Sequence, residues 1–132
     1  MRVLKIDRTI IEIGFENNWN RLMDSYNAKG FDKLEIIGNL NLSGLIINDL
    51  PKKMNVYGNL ELRECEINCK LPEVLYVDGY LSFNRTKINY LPKNLYVGEW
   101  LDIEYSNITK IPESAVIKKT IFYPRQMMYS DE

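Results

Sequence analysis

The dipeptides Leu50-Pro51, Leu71-Pro72, Leu91-Pro92 and Ile111-Pro112 return at intervals of 21, 20 and 20 residues. The same grammar recurs between them. After each proline comes an aliphatic pair with one residue between: Met54/Val56, Leu75/Val77, Leu95/Val97 and Ala115/Ile117, with Leu34/Ile36 one period earlier. A second alternating pair follows at Leu40/Leu42, Leu60/Leu62, Leu81/Phe83, Leu101/Ile103 and Ile121/Tyr123. A lone isoleucine (Ile47, Ile67, Ile88, Ile108) precedes the next dipeptide. Self-similarity at a period near twenty is the mark of a solenoid, because a unit that short cannot bury its own apolar face and must stack on copies of itself.

Each part of the repeat has a physical reading. An apolar-x-apolar pair between polar neighbours is a short strand with one face buried. Proline ends one side of the coil by fixing φ and removing a donor. Gly38, Gly58 and Gly79, between the two pairs, are expected to permit a bend. The interval between Leu50 and Leu71 is one residue too long, which predicts a local bulge around residues 68–70.

The layout Leu-Pro-x-x-Leu…Leu-x-aliphatic…Ile-x-x-Leu-Pro, carried from Leu34 to Tyr123, resembles the leucine-rich repeat family. It looks most like the short, twenty-residue subclass found in bacterial effectors and phage proteins. The resemblance implies an α/β repeat solenoid, mainly β, with a parallel strand ladder. It also implies a protein-binding role through the strand's outward residues. In this chain the family's asparagine-ladder position falls on Leu45, Cys65, Thr86 and Ser106, so a continuous asparagine ladder is absent. Some family effectors carry a separate catalytic ligase domain, for which 132 residues leave no room.

The predicted organisation is an N-terminal cap over residues 1–33, a solenoid over 34–123 and a tail or partial cap over 124–132. In the first part "RVLKI" and "TIIEIGF" alternate like strands, and Trp19, Leu22, Met23 and Tyr26 share one face of a helix that Gly30 would end. In the tail, Met127 and Met128 are candidates to cover the last coil or to pack on another copy.

A formal net charge of −1 shows no commitment to nucleic acid or anionic lipid. No apolar run reaches membrane-spanning length. "MRVLKIDRTI" meets Asp7 and Arg8 before a secretory apolar region could form, so a cytoplasm, the protein's own or a host's, is expected. Abundant Asn, Ile, Lys and Tyr hint at an AT-rich genome. The three Asn-x-Ser/Thr sequons read as products of repeat composition.

Histidine is absent, which removes the commonest general base and metal ligand. Two cysteines make neither a disulfide scaffold nor a four-ligand zinc site. Cys65 is expected as a packed thiol, Cys69 as a more exposed one in the bulged turn. Glu61, Glu64 and Glu66 lie close in sequence, but Glu61 and Glu66 should point to different parts of the coil. No catalytic residue, metal site or cofactor is therefore predicted, and an enzyme is the least expected class.

If the second pair of each coil forms the strand, its outward positions are Asn39/Asn41, Asn59/Glu61, Tyr80/Ser82, Trp100/Asp102 and Thr120/Phe122. Ser43, Arg63, Asn84 and Glu104 come next, then Glu64, Arg85 and Tyr105. Register brings Tyr80, Trp100 and Phe122 together, and large aromatics on an exposed face need an explanation. Tyr, Trp and Arg are also the residue types most enriched at binding hot spots. The expected partner site is Tyr80, Trp100, Phe122 and Tyr105, with Glu61, Asp102, Glu104, Arg63 and Arg85 around them, facing a protein of some basic character. The bland alternative is that the rings only stabilise the sheet. A carbohydrate platform and self-association through the terminal edge Thr120–Tyr123 are the functional rivals.

Overall fold

A computed structural model describes residues 1–11 and 18–124, without the side chains of residues 8–11. The chain winds as a β-solenoid of about four turns with one short helix. Strand β1 (Val3–Ile11) leads to helix α1 (Asn18–Ala28) and then to β2 (Lys33–Asn41). The coils follow as β3 (Ile46–Ile47), β4 (Lys53–Val56), β5 (Leu60–Glu61), β6 (Glu66–Ile67), β7 (Val74–Val77), β8 (Leu81–Ser82), β9 (Asn94–Val97), β10 (Leu101–Asp102), β11 (Val116–Ile117) and β12 (Ile121–Phe122).

All strand pairs are parallel. The long strand β2 seeds two ladders: its first half pairs β4, followed by β7, β9 and β11, and its second half pairs β5, followed by β8, β10 and β12. β1 lies along the other edge of β2, and β3 and β6 form a small third ladder. Gly38, with φ 125°, turns β2 from the first ladder into the second, and β1 follows with a register shift between Asp7 and Ile10.

The alternating residues of the repeat do turn inward. Leu34, Ile36, Met54, Val56, Leu60, Leu81, Val97 and Leu101 are among those fully enclosed. The register also locates the extra residue: Glu66 pairs a residue 20 earlier, whereas Val74 pairs one 21 earlier, so the insertion lies between Ile67 and Val74. There the Leu71 amide donates to the Tyr90 hydroxyl at 2.8 Å.

The glycine expectation needs correcting. Gly58 and Gly79 are not among the residues with positive φ. They are required because successive coils approach closely. A Cβ on Gly58 would lie 2.6 Å from the Gly38 carbonyl, and one on Gly79 would collide with the Asn59 amide oxygen.

The first part of the chain is continuous with the sheet, not a separate layer. "RVLKI" and the start of "TIIEIGF" form one strand; residues 12–15 of the second stretch lie outside the described residues, as do Met127 and Met128. Helix α1 buries Trp19, Met23 and Tyr26, and Leu22 is half-buried. Its end is a Schellman motif. Gly30 has φ 71°, its amide donates to the Asn27 carbonyl, and the Phe31 amide donates to the Tyr26 carbonyl. The accompanying apolar contact is Tyr26 stacked on Phe31 at 5.9 Å. No helix among the described residues is long and apolar enough to cross a membrane.

Candidate functional site

The second ladder carries the predicted site, and its chemistry changes along the stack. In the early coils the Asn39 amide oxygen accepts from the Asn59 N–H at 2.8 Å, and the Asn59 amide oxygen accepts from the Tyr80 N–H at 2.9 Å. From Tyr80 onward this amide spine gives way to rings. Tyr80 and Trp100 stack with centroids 4.1 Å apart and planes 2° from parallel. Phe122 meets Trp100 edge-on at 5.7 Å. In register, Phe122 sits beside Asp102, so it reaches Trp100 diagonally. Tyr80 and Trp100 are half-buried by this packing, while Phe122 remains 43% exposed.

After these positions each coil turns a corner. The Asn41 and Asp102 side chains accept from the amides two residues on, Ser43 and Glu104, and Ser82 does the same for Asn84. Short side-chain acceptors favour such turns. The corner residues Gly44, Glu64, Arg85 and Tyr105 then take left-handed φ of 78°, 54°, 58° and 58°. Stacking of identical corners keeps three side-chain-bearing residues in a region that usually selects glycine. Arg85 lies over the Tyr105 ring at 4.6 Å.

The charged residues divide. Glu61 pairs with Arg63 at 3.9 Å on the surface, a contact of small energetic weight. Asp102 also accepts from the Asn84 amide at 3.0 Å, and Glu104 is half-buried. Glu61, Arg63, Glu64, Asn41, Ser43 and Tyr80 line a shallow, open depression of about 440 Å³. Burial, and then the hydrogen bond to Glu61, push the Tyr80 hydroxyl up to about 12, so it stays a donor at physiological pH. Ser82 and Asn84, expected to face outward, are instead buried, at 1% and 8% exposure. Ser82 is short and flanked in register by Glu61 and Asp102; Asn84 is held by Asp102.

Below the corner the equivalent positions are Leu45, Cys65, Thr86 and Ser106, and the last three carry polar groups. The Cys65 thiol donates to the Leu42 carbonyl at 3.0 Å. The Thr86 hydroxyl donates to the Leu62 carbonyl and accepts from the Cys65 amide. The Ser106 hydroxyl donates to the Ile103 carbonyl. Both cysteines are free thiols, Cys65 buried and Cys69 half-buried. Burial raises both thiol pKa values, Cys69 to about 11 with a further push from Asp49, which makes them poor nucleophiles. Glu66 lies on the third ladder, away from Glu61 on the second. No group of three potential metal ligands occurs among the described residues.

One feature escaped the sequence reading. On the first ladder Tyr57, Tyr76 and Tyr96 form a second aromatic row, with centroids 5.8 Å apart and then 4.7 Å. Tyr76 and Tyr96 are direct register partners. The signal was available for Tyr76 and Tyr96: the residue between the members of the first aliphatic pair alternates outward just as it does in the second. Tyr57 instead follows its pair and reaches Tyr76 from beyond the end of β4.

No family model, curated protein or solved structure matches the chain. The leucine-rich-repeat resemblance therefore stands on the repeat pattern itself.

Proposed function

We propose that this chain is a non-enzymatic protein-binding module whose partner docks on the Tyr80–Trp100–Phe122 face. The observation that supports this most is the merging of three aromatics from three coils into one contiguous cluster on the solvent side, ending in an exposed Phe122. Sheet stabilisation accounts for the Tyr80–Trp100 stack but not for an exposed third ring beside it. Around the cluster, Glu61, Glu64, Asp102 and Glu104 outnumber Arg63 and Arg85, which favours a partner surface with basic character. The repeat resemblance and the Asn-, Ile-, Lys- and Tyr-rich composition extend the reading to a cytoplasmic inhibitor or effector of phage or bacterial origin.

The geometry favours a protein over a sugar. A stacking platform needs a free ring face, yet Tyr80 and Trp100 turn their faces to each other, and Asn84 is buried against Asp102. The test compares wild type with Trp100→Ala as affinity baits in extract of the cell that encodes the chain. Proteins retained by wild type and lost by a variant that still melts cooperatively support the reading; equal retention overturns it. Trp19 is fully buried and Trp100 only half-buried, so acrylamide quenching of Trp100 reports on this face directly. A bound partner should shield it.

A further inference from the structure

We propose that the chain associates head to tail with further copies of itself, β1 of one molecule extending the ladders beyond β11 and β12 of the molecule before it. The inference rests on the two ends of the stack; of the lateral aromatic face it touches only Phe122, on the terminal strand β12, and leaves Tyr80 and Trp100 open.

The register shows what would meet. Lys5 pairs with Glu35, Glu35 with Asn55, Asn55 with Tyr76, Tyr76 with Tyr96 and Tyr96 with Val116. One more step of the same register sets Lys5 of a following copy beside Val116. Counting along the strand then puts Leu4 by Ala115 and Ile6 by Ile117, all four inward-facing and only half-buried in the isolated chain. The same count sets Asp7 of the following copy by Lys118, its opposite in charge. Asp7 and Lys118 are exposed, and neither has an ion-pair partner among the described residues. These charges lie on the solvent side of the ladder, where they select a neighbour; a charge pointing inward would block pairing.

The backbone also continues. Leu40, Leu60, Leu81 and Leu101 each donate their amide to a carbonyl of the next coil. Ile121 is the next residue in that series, and no strand pairs the outer edge of β12 among the described residues. A parallel strand entering there would meet the last coil as each coil meets its predecessor. Because the contact joins two different surfaces along one axis, it does not close on itself and adds copies one by one.

Sedimentation of the full chain over a wide concentration range tests this. The average mass should rise continuously past two copies. Lys118→Asp or Asp7→Lys alone should weaken association by roughly threefold or more, and the double reversal should restore it. Both sites are exposed, and unchanged thermal melting of each variant would confirm that folding is not at issue. A chain that stays monomeric throughout, a mass that levels off at two copies, or a double variant no better than the single ones overturns the proposal.

Discussion

The two ends of this solenoid solve the same problem differently. Any terminal coil lacks a neighbour on one side and leaves apolar side chains and backbone groups uncovered. At the N-terminal end β1 pairs along β2, and α1 closes the third ladder. Its Trp19 indole donates to the Asp49 carbonyl at 2.9 Å. The Asn20 side-chain amide donates to the Ile46 carbonyl and accepts from the Asn48 amide, taking the place of a strand's peptide along β3. Leu34 and Ile36 beneath are fully buried. At the C-terminal end the equivalent inward residues Ala115, Ile117 and Ile121 are only half-buried, and Tyr123 is 39% exposed. Among the described residues, one end is finished with a non-repeat element and the other stops as a coil. In a stack held by nearest-neighbour contacts, that difference makes the first coils the stable part.

The most direct way to break this comparison is to truncate one large side chain at each end. Trp19→Ala removes a fully enclosed ring and its hydrogen bond, and should cost about 3–5 kcal/mol. Ile121→Ala removes a half-exposed side chain and should cost about 1–2 kcal/mol. Urea denaturation measures both. Equal losses would mean that the helix does not anchor the stack. Asn20→Ala comes next: it leaves the Ile46 carbonyl and Asn48 amide on a partly solvated edge, at about 1–2 kcal/mol.

Hydrogen exchange sharpens the gradient without any substitution. The Leu60 amide donates into the following coil at 2.9 Å and lies inside the stack, whereas Ile121 occupies the matching position on the terminal strand. At concentrations where the chain is monomeric, the Ile121 amide should exchange at least about tenfold faster. Matching protection would show that the final coil is covered as well as the first.

Much of this was legible in the sequence. The period located both aliphatic pairs, the ladder and the aromatic cluster, because side-chain alternation and coil length are local properties. The positions of Tyr80 and Trp100 follow from them, and so does their proximity. What sequence did not show depended on neighbours in space. Ser82 and Asn84 alternate outward yet are buried, because their exposure depends on the side chains one coil away. The need for Gly58 and Gly79 comes from the approach of adjacent backbones, which no single coil records. The role of Asn20 was hidden altogether, since its partners lie 26 and 28 residues further along the chain.

The smallest predicted effect is on pH dependence, and it also separates the cap from the later coils. Burial raises the Tyr26 hydroxyl in α1, with Asp32 and Asp49 adding to it, and burial with Glu61 raises Tyr80 to about 12. In the unfolded chain a tyrosine ionises near pH 10. The folded state therefore holds these protons more tightly, and its advantage is complete below pH 10. As pH rises from 10 toward 12 the unfolded chain loses the protons first, so stability must fall. Melting temperatures measured from pH 8 to 11 should begin to decline near pH 9, where the unfolded thiols of Cys65 and Cys69 lose their protons first, and fall more steeply above pH 10 as the tyrosines join them. Tyr26→Phe and Tyr80→Phe should each flatten that decline. If Tyr26→Phe leaves the alkaline slope untouched while Tyr80→Phe removes it, the cap is not what alkali loosens first, and the contrast between the ends would have to rest on packing alone.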